Sequence, residues 1–206
     1  MERRKENRSP QGEIAKILVE FLEVAITAIV FLKEIYPSEA FERRRYMNVV
    51  VHRARHPQLR DYIHSAVIGL QSFIEKGVVD RVTVMFYNNT NIPIERFVFN
   101  LAVNQSYKSS VEQPDLEFSL RSFLIKLPVS ESLSKHLPKD CRWEIMAYFR
   151  SLPETGSKSV ADLWIPTDTK QWDQPPLITP IKSLSSEPLN LQLYLEHSNM
   201  LNPVSG

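Results

Sequence analysis

The chain has 206 residues, 43% hydrophobic and 24% charged, with a formal net charge of +1. That balance fits one ordinary globular domain and excludes wholesale coating of nucleic acid. Cys141 is the only cysteine, so no disulfide forms within the chain, and a reducing compartment such as cytosol or nucleus is expected.

In chain order, Met1 to Arg8 is polar throughout, and residues 1–12 read as a mobile basic tail. Over 13–36, Ile14, Leu18, Leu22, Ala25, Ile29 and Leu32 recur at the spacing of one helix face, while Ile17, Phe21, Val24, Ala28 and Phe31 fill most of the rest. The pattern predicts a helix enclosed on several sides, with Ser9 and Pro10 as cap and first residue and Pro37 as its stop. Its longest uncharged run, Val24 to Leu32, is too short for the ~20 residues of a membrane span. Val49 to Val51 mark a short strand by β-branched content. A second amphipathic helix starts near Pro57, carries Leu59, Ile63, Ala66, Val67, Leu70 and Ile74, and stops at Gly77.

Arg81 to Tyr87 alternates as one arm of a hairpin, with turn chemistry at Asn88 to Asn91. In the return arm Ile92 and Ile94 share one parity, whereas Phe97, Phe99, Leu101 and Val103 share the other, which calls for a bulge near Glu95 and Arg96. Leu116, Leu120, Phe123, Leu124 and Leu127 form a third helix stripe ended by Pro128. Trp143, Ile145, Ala147 and Phe149 mark another strand. The last 56 residues hold seven of the fourteen prolines, so their short apolar pieces (Val160 to Ile165, Leu177 and Ile178, Leu189 to Leu195) suit sheet edges and extended crossings. In the last piece the leucines point one way, and Asn190, Gln192, Tyr194 and Glu196 face solvent or a partner. The order implies an α+β domain, three helices packed on an antiparallel sheet.

Catalytic chemistry is hard to place. The glycines, at 12, 69, 77, 156 and 206, never cluster into a phosphate-cradling loop, and no Gly-x-Ser-x-Gly elbow occurs. His136 and Cys141 read as a loop histidine beside a thiol, His52 and His56 as surface or capping residues, and Glu20 and Glu23 as a solvated strip; no metal or cofactor is expected. Two features remain as binding candidates. Arg43, Arg44, Arg45, Arg53, Arg55 and Arg60 lie in an 18-residue window without an acid, a solvated face or a set of phosphate contacts. Trp164 and Trp172 sit in the proline-rich tail, where they either pin it to the domain or grip a peptide.

The residues Glu20 to Ala25 (Glu-Phe-Leu-Glu-Val-Ala), Glu34 to Pro37 (Glu-Ile-Tyr-Pro) with Phe41 and the arginines, His56-Pro57 with Leu59, Tyr62 and Ile63, Glu95 to Phe99 (Glu-Arg-Phe-Val-Phe), Leu120, Arg121 and Phe123, Leu177 and Ile178, and Gln192 to Glu196 (Gln-Leu-Tyr-Leu-Glu) together resemble the HORMA family, in its spindle-checkpoint-like branch. The likeness runs over about residues 13–197. It implies a HORMA fold with a core at 13–150, a C-terminal safety-belt β segment at 151–197 and a terminal tail at 198–206. It further implies a nuclear, non-catalytic adaptor of translesion DNA polymerase zeta, whose belt traps a proline-containing peptide of the catalytic subunit and which bridges to the deoxycytidyl-transferase scaffold polymerase. An added strand binds through main-chain hydrogen bonds, with side-chain pockets giving selectivity, and a belt and peptide that order each other are strongly coupled.

Position by position, the resemblance assigns Tyr62 and Trp164 to the threaded peptide, Leu177, Gln192 and Tyr194 to the scaffold polymerase's C-terminal domain, and Arg121 to HORMA pairing, as homodimer or heterodimer. Checkpoint or ubiquitin-ligase regulators are further implied partners. Two places depart from the family pattern: Met47-Asn48-Val49-Val50 replaces Tyr-Asn-x-Pro, and Pro166 follows Trp164 where a bulky aliphatic is usual. The alternatives are a checkpoint or meiotic HORMA adaptor binding other closure motifs, and a DNA-binding module using Arg43 to Arg60.

Overall fold

The computed structural model describes residues 9–130, 137–151, 164, 165, 167, 172 and 174–198. Most of the tail expected at 1–12, His136, Val160 to Leu163, Pro166 and all but the first residue of the terminal tail lie outside them.

Helix α1 spans Pro10–Leu32. Ser9 caps it: its hydroxyl accepts from the Gly12 amide at 3.0 Å and donates to Glu75 at 3.0 Å, satisfying one of the free N–H groups of a helix start. The helix stops four residues before Tyr36, because the chain turns at Lys33 and Glu34 adopts a left-handed φ of 52°. Buried residues cover most of its circumference, and Phe21 packs edge-on against both Phe99 and Phe123.

Strands β1 (Phe41–Tyr46) and β2 (Val49–Ala54) form a separate two-stranded antiparallel ribbon. Met47 and Asn48 make its turn, both at positive φ, the geometry that matches the twist of paired strands. The sequence pattern marks only β2; in β1 three consecutive arginines mask the alternation. Helix α2 (Pro57–Ile68) and the short α3 (Gln71–Glu75) replace the single helix expected from Pro57 to Gly77. The apolar stripe continues across the break at Gly69 and Leu70, so spacing alone does not reveal it. Gly77 does adopt the left-handed conformation, at φ 68°.

Strands β3 (Val79–Tyr87), β4 (Pro93–Val103), β5 (Arg142–Phe149), β6 (Leu177–Ser185) and β7 (Leu189–His197) form one antiparallel sheet in the order β5-β3-β4-β7-β6. Tyr87 pairs with Pro93 and Phe86 with Glu95, so Ile94 is the extra residue and the bulge falls one position before Glu95. Helix α4 (Gln113–Ser130) runs past Pro128; a proline near the end of a helix lacks only one ladder bond.

One face of the sheet carries Val82, Val84, Phe86, Phe97, Phe99, Ile145, Leu191, Leu193 and Leu195 into a single core shared with α1, α2 and α4. The other face carries a smaller cluster of Met85, Tyr87, Met146 and Tyr148. The proline-bearing β6 is an edge, and its register slips between Pro180 and Lys182; β7, expected as an edge or crossing, is instead interior between β4 and β6, since no proline within Leu189–His197 removes an amide from either ladder.

Candidate protein-interaction site

Four surfaces gather the residues singled out above. The first is the outer edge of β5. The Ile145 amide donates to the Tyr62 hydroxyl at 3.2 Å, so it points away from β3. Since N–H and C=O of one residue in an antiparallel ladder share a side, Trp143, Ile145 and Ala147 direct their main-chain groups to that edge. Among the described residues only β3 pairs with β5.

Tyr62 projects from α2 and is 44% exposed. Its ring meets Trp143 edge-on at 5.4 Å, and the Trp143 indole N–H donates to the Tyr36 hydroxyl at 3.3 Å. Burial raises the Tyr62 phenol above its usual range, opposed by the Ile145 hydrogen bond. The hydroxyl is therefore neutral at physiological pH and keeps its own O–H for a further acceptor. Trp164 is half-buried and packs against the main core, whereas Ile165 beside it is 84% exposed. Aromatic faces, a free phenolic donor and outward main-chain groups suit an extended peptide. Tyr36, Trp143 and Ile145 joined this edge without having been singled out; the signal was the strand alternation at 143–149, which fixes faces but not which edge stays open.

The second surface is the outer face of β6 and β7. Gln192 is exposed, and its side-chain carbonyl accepts from Asn100 at 3.5 Å; Tyr194, half-buried, pairs with Val98 and Pro180. By register Ile178 and Pro180 share the face of Tyr194 and Glu196, whereas Leu177 shares that of Leu195 and His197. The structure thus brings Gln192 and Tyr194 together, places Leu177 at the strand's start on the other face, and adds Ile178, 62% exposed.

Glu196 departs from the expected solvent-facing row: it is buried, 6% exposed. Its carboxylate receives two guanidinium N–H groups of Arg96, the Nε one at 2.6 Å, while Arg96 Nη1 donates to the Tyr148 hydroxyl at 3.2 Å. The indole of Trp172 lies 5.9 Å from the same guanidinium, a cation–π distance. Trp172 is thus held against the domain through Arg96.

The third surface is α4, where Phe118, Ile125 and Val129 are exposed on one helical stripe. Arg121 borders it, half-buried, its Nε without a hydrogen-bond partner among the described residues. The fourth is the arginine ribbon. Arg44 pairs with Glu42 at 2.8 Å and Arg60 with Asp61 at 3.1 Å, so the acids flanking the window take two of its six arginines. Arg43, Arg45, Arg53 and Arg55 are exposed.

The remaining polar candidates have structural settings. His52 stacks on Phe31 at 3.5 Å, and its pKa is lowered by burial and then by Arg43. His56 precedes the first residue of α2, and Glu23 pairs with His64 at 2.8 Å. Among the described residues no three His, Cys, Asp or Glu side chains gather as a metal site, and no helix is long and apolar enough to cross a membrane.

The HORMA domain model matches residues 15–158. The chain is 62% identical over 205 residues to the DNA polymerase zeta processivity subunit of Arabidopsis thaliana, covering 100% of this chain and 94% of that one. It is 30% identical over 195 residues to the human mitotic spindle assembly checkpoint protein MAD2B, covering 89% and 90%. Among solved structures, a chain of the mitotic checkpoint complex aligns with a TM-score of 0.75 at 16% identity, over 89% of this chain and 98% of that one. The C. elegans HTP-2 protein bound to a HIM-3 closure motif aligns at 0.75 and 9% identity, over 93% of each; at such identities the likeness concerns the fold. With its helices on one face of the sheet, its C-terminal hairpin docked on β4 and its sequence matched through 144 consecutive positions, the chain belongs to the HORMA domain family.

Proposed function

We propose that this chain is a non-catalytic accessory subunit of DNA polymerase zeta, acting in translesion synthesis in the nucleus. The observation that carries this is the 62% identity, across the whole chain, to a protein named as the processivity subunit of that polymerase. In this reading a proline-containing segment of the catalytic subunit lies along the outer edge of β5, against Tyr62 and under the belt segment that bears Trp164. The outer face of β6 and β7, with Gln192, Tyr194 and Ile178, receives the C-terminal domain of the scaffold polymerase; Leu177 flanks it. The apolar stripe of α4 beside Arg121 is the pairing surface for a second HORMA chain.

Titration with peptides tiled across the catalytic subunit tests the central claim. Tyr62→Ala and Trp164→Ala should each weaken the best peptide at least tenfold, as buried aromatic anchors do, while Tyr194→Ala leaves peptide affinity unchanged and weakens the scaffold domain. Failure of every tiled peptide to bind would refute the reading.

A second reading, a checkpoint adaptor, draws on the name of the MAD2B relatives, which match at about half that identity. Capture from nuclear extract separates the two: polymerase subunits support the first, checkpoint proteins the second.

A further inference from the structure

The β1–β2 ribbon holds a charge arrangement that the peptide-binding reading does not use. Between Arg43 and Arg60 lie six arginines, no lysine and no acid. The structure sorts them. Glu42, which stands across the ribbon from Arg53, is engaged by Arg44 instead, and Asp61 is engaged by Arg60. Arg43, Arg45, Arg53 and Arg55 make no ion pair among the described residues and are exposed. A guanidinium does not deprotonate at physiological pH, so three fixed positive charges lie on one small hairpin and a fourth, Arg55, directly follows it, in a chain whose total is only +1. Their mutual repulsion opposes folding.

Position makes the charges available. Strand β2 packs on α1, α2 and α4, whereas β1 is the outer strand. Arg43 and Arg45 alternate onto the face of His52; Arg53 shares the opposite face with Glu42 and Arg44. Residues two apart on a strand are separated by about 6.8 Å, and six residues give a ribbon of about 20 Å, along which a nucleic-acid backbone presents several phosphates. The guanidinium fork fits phosphate in bidentate geometry, and a two-stranded β-ribbon is narrow enough for the major groove of a duplex.

From this we infer that the β1–β2 ribbon is a nucleic-acid contact, in which Arg43, Arg45, Arg53 and Arg55 bind backbone phosphates without reading base sequence. The competing explanation is that charged side chains along β1 only keep an open edge from pairing with other chains. A binding experiment on the full chain alone tells them apart. It uses a labelled oligonucleotide, single-stranded or annealed to its complement, followed by anisotropy between about 50 and about 200 mM salt. Four phosphate contacts give a log–log salt slope of about −3.6 on duplex or about −2.8 on single strand, a loss of affinity of about fifty- to a hundred-and-fifty-fold across that range; the arm with the tighter binding at matched salt identifies the form preferred.

Replacing all four arginines by alanine should abolish the slope, and Arg60→Ala should leave it unchanged. If the fourfold variant melts early, the pairs Arg43→Ala/Arg45→Ala and Arg53→Ala/Arg55→Ala, on different segments, should each halve it. Absence of binding at the lowest salt, an unaltered slope in these variants, or equal competition by polyglutamate would overturn the inference. Peptide binding along β5 is read separately, so failure of one assignment does not entail failure of the other.

Discussion

Lys33 and Glu95 meet at 2.5 Å with side chains 5% and 2% exposed, joining the end of α1 to the bulge of β4. A buried pair of this kind is dangerous to halve: removing one partner strands the other's charge at a cost of about 3–5 kcal/mol, whereas replacing both by apolar side chains is close to neutral. Lys33→Ala should therefore lower the unfolding free energy by that amount in urea titrations, and Lys33→Met with Glu95→Leu should recover most of it. Burial raises the Glu95 carboxyl above its ordinary 4.5, with Lys33 opposing. A raised folded value means that the native state binds the proton more tightly than the unfolded chain does, so this contribution is complete below 4.5 and is lost as pH rises through the folded value. From pH 7 down to about 4.5, the wild type should gain stability relative to Glu95→Gln, and chemical denaturation at stepped pH measures the difference. At the edge of β5, Tyr62→Phe retains the ring and removes only the acceptor for the Ile145 amide. A loss of about 1 kcal/mol in peptide-free stability is expected, read from urea titrations.

Among the elements, the clasp of Arg96, Glu196, Tyr148 and Trp172 joins β4, β5 and β7 to the proline-rich segment that bears Trp172, on the face opposite the helices. Arg96→Lys keeps the charge but not the fork and should destabilise as a truncation does; Trp172→Ala should cost about 1 kcal/mol, both read from thermal melts. At the other end of the sheet, a Cβ on Gly77 would lie 2.7 Å from the Gln105 amide and at φ 68°, so Gly77→Ala should cost more than the ~1–2 kcal/mol of the left-handed conformation alone. The same elements mark how far a linear sequence can be read. Ser9 and Gly77 announce their roles because the chemistry of a cap and of a left-handed turn is local. The bulge was legible from the parity change at Ile94 to within one residue. By contrast, β1 hides behind Arg43 to Arg45, and the break at Gly69 hides behind Leu70 and Ile74, since tertiary packing there overrides local propensity.

Over the whole molecule, the α+β class and the enclosed first helix followed from periodicity, because burial is imprinted residue by residue, whereas proline content anticipated an edge for β6 but not the interior place of β7. The candidate site was legible only in part. Tyr62 and Trp164 came from family likeness, and neither spacing nor composition reveals that Tyr36, Trp143 and Ile145 join Tyr62, since that meeting depends on which side of β5 remains unpaired. The buried state of Glu196 was equally invisible, as its partner Arg96 lies a hundred residues away. Where β7 sits carries a consequence for biosynthesis. It is the last strand described, yet it occupies an interior position, held by nine residue pairs to β4. Until Leu189 to His197 have emerged from the ribosome, β4 presents Phe97, Phe99 and Leu101 on a bare edge, a template for intermolecular pairing. A frameshift or premature stop just upstream of Leu189 should consequently yield insoluble product rather than a slightly shortened protein, although nearly all of the helical layer would already have been translated.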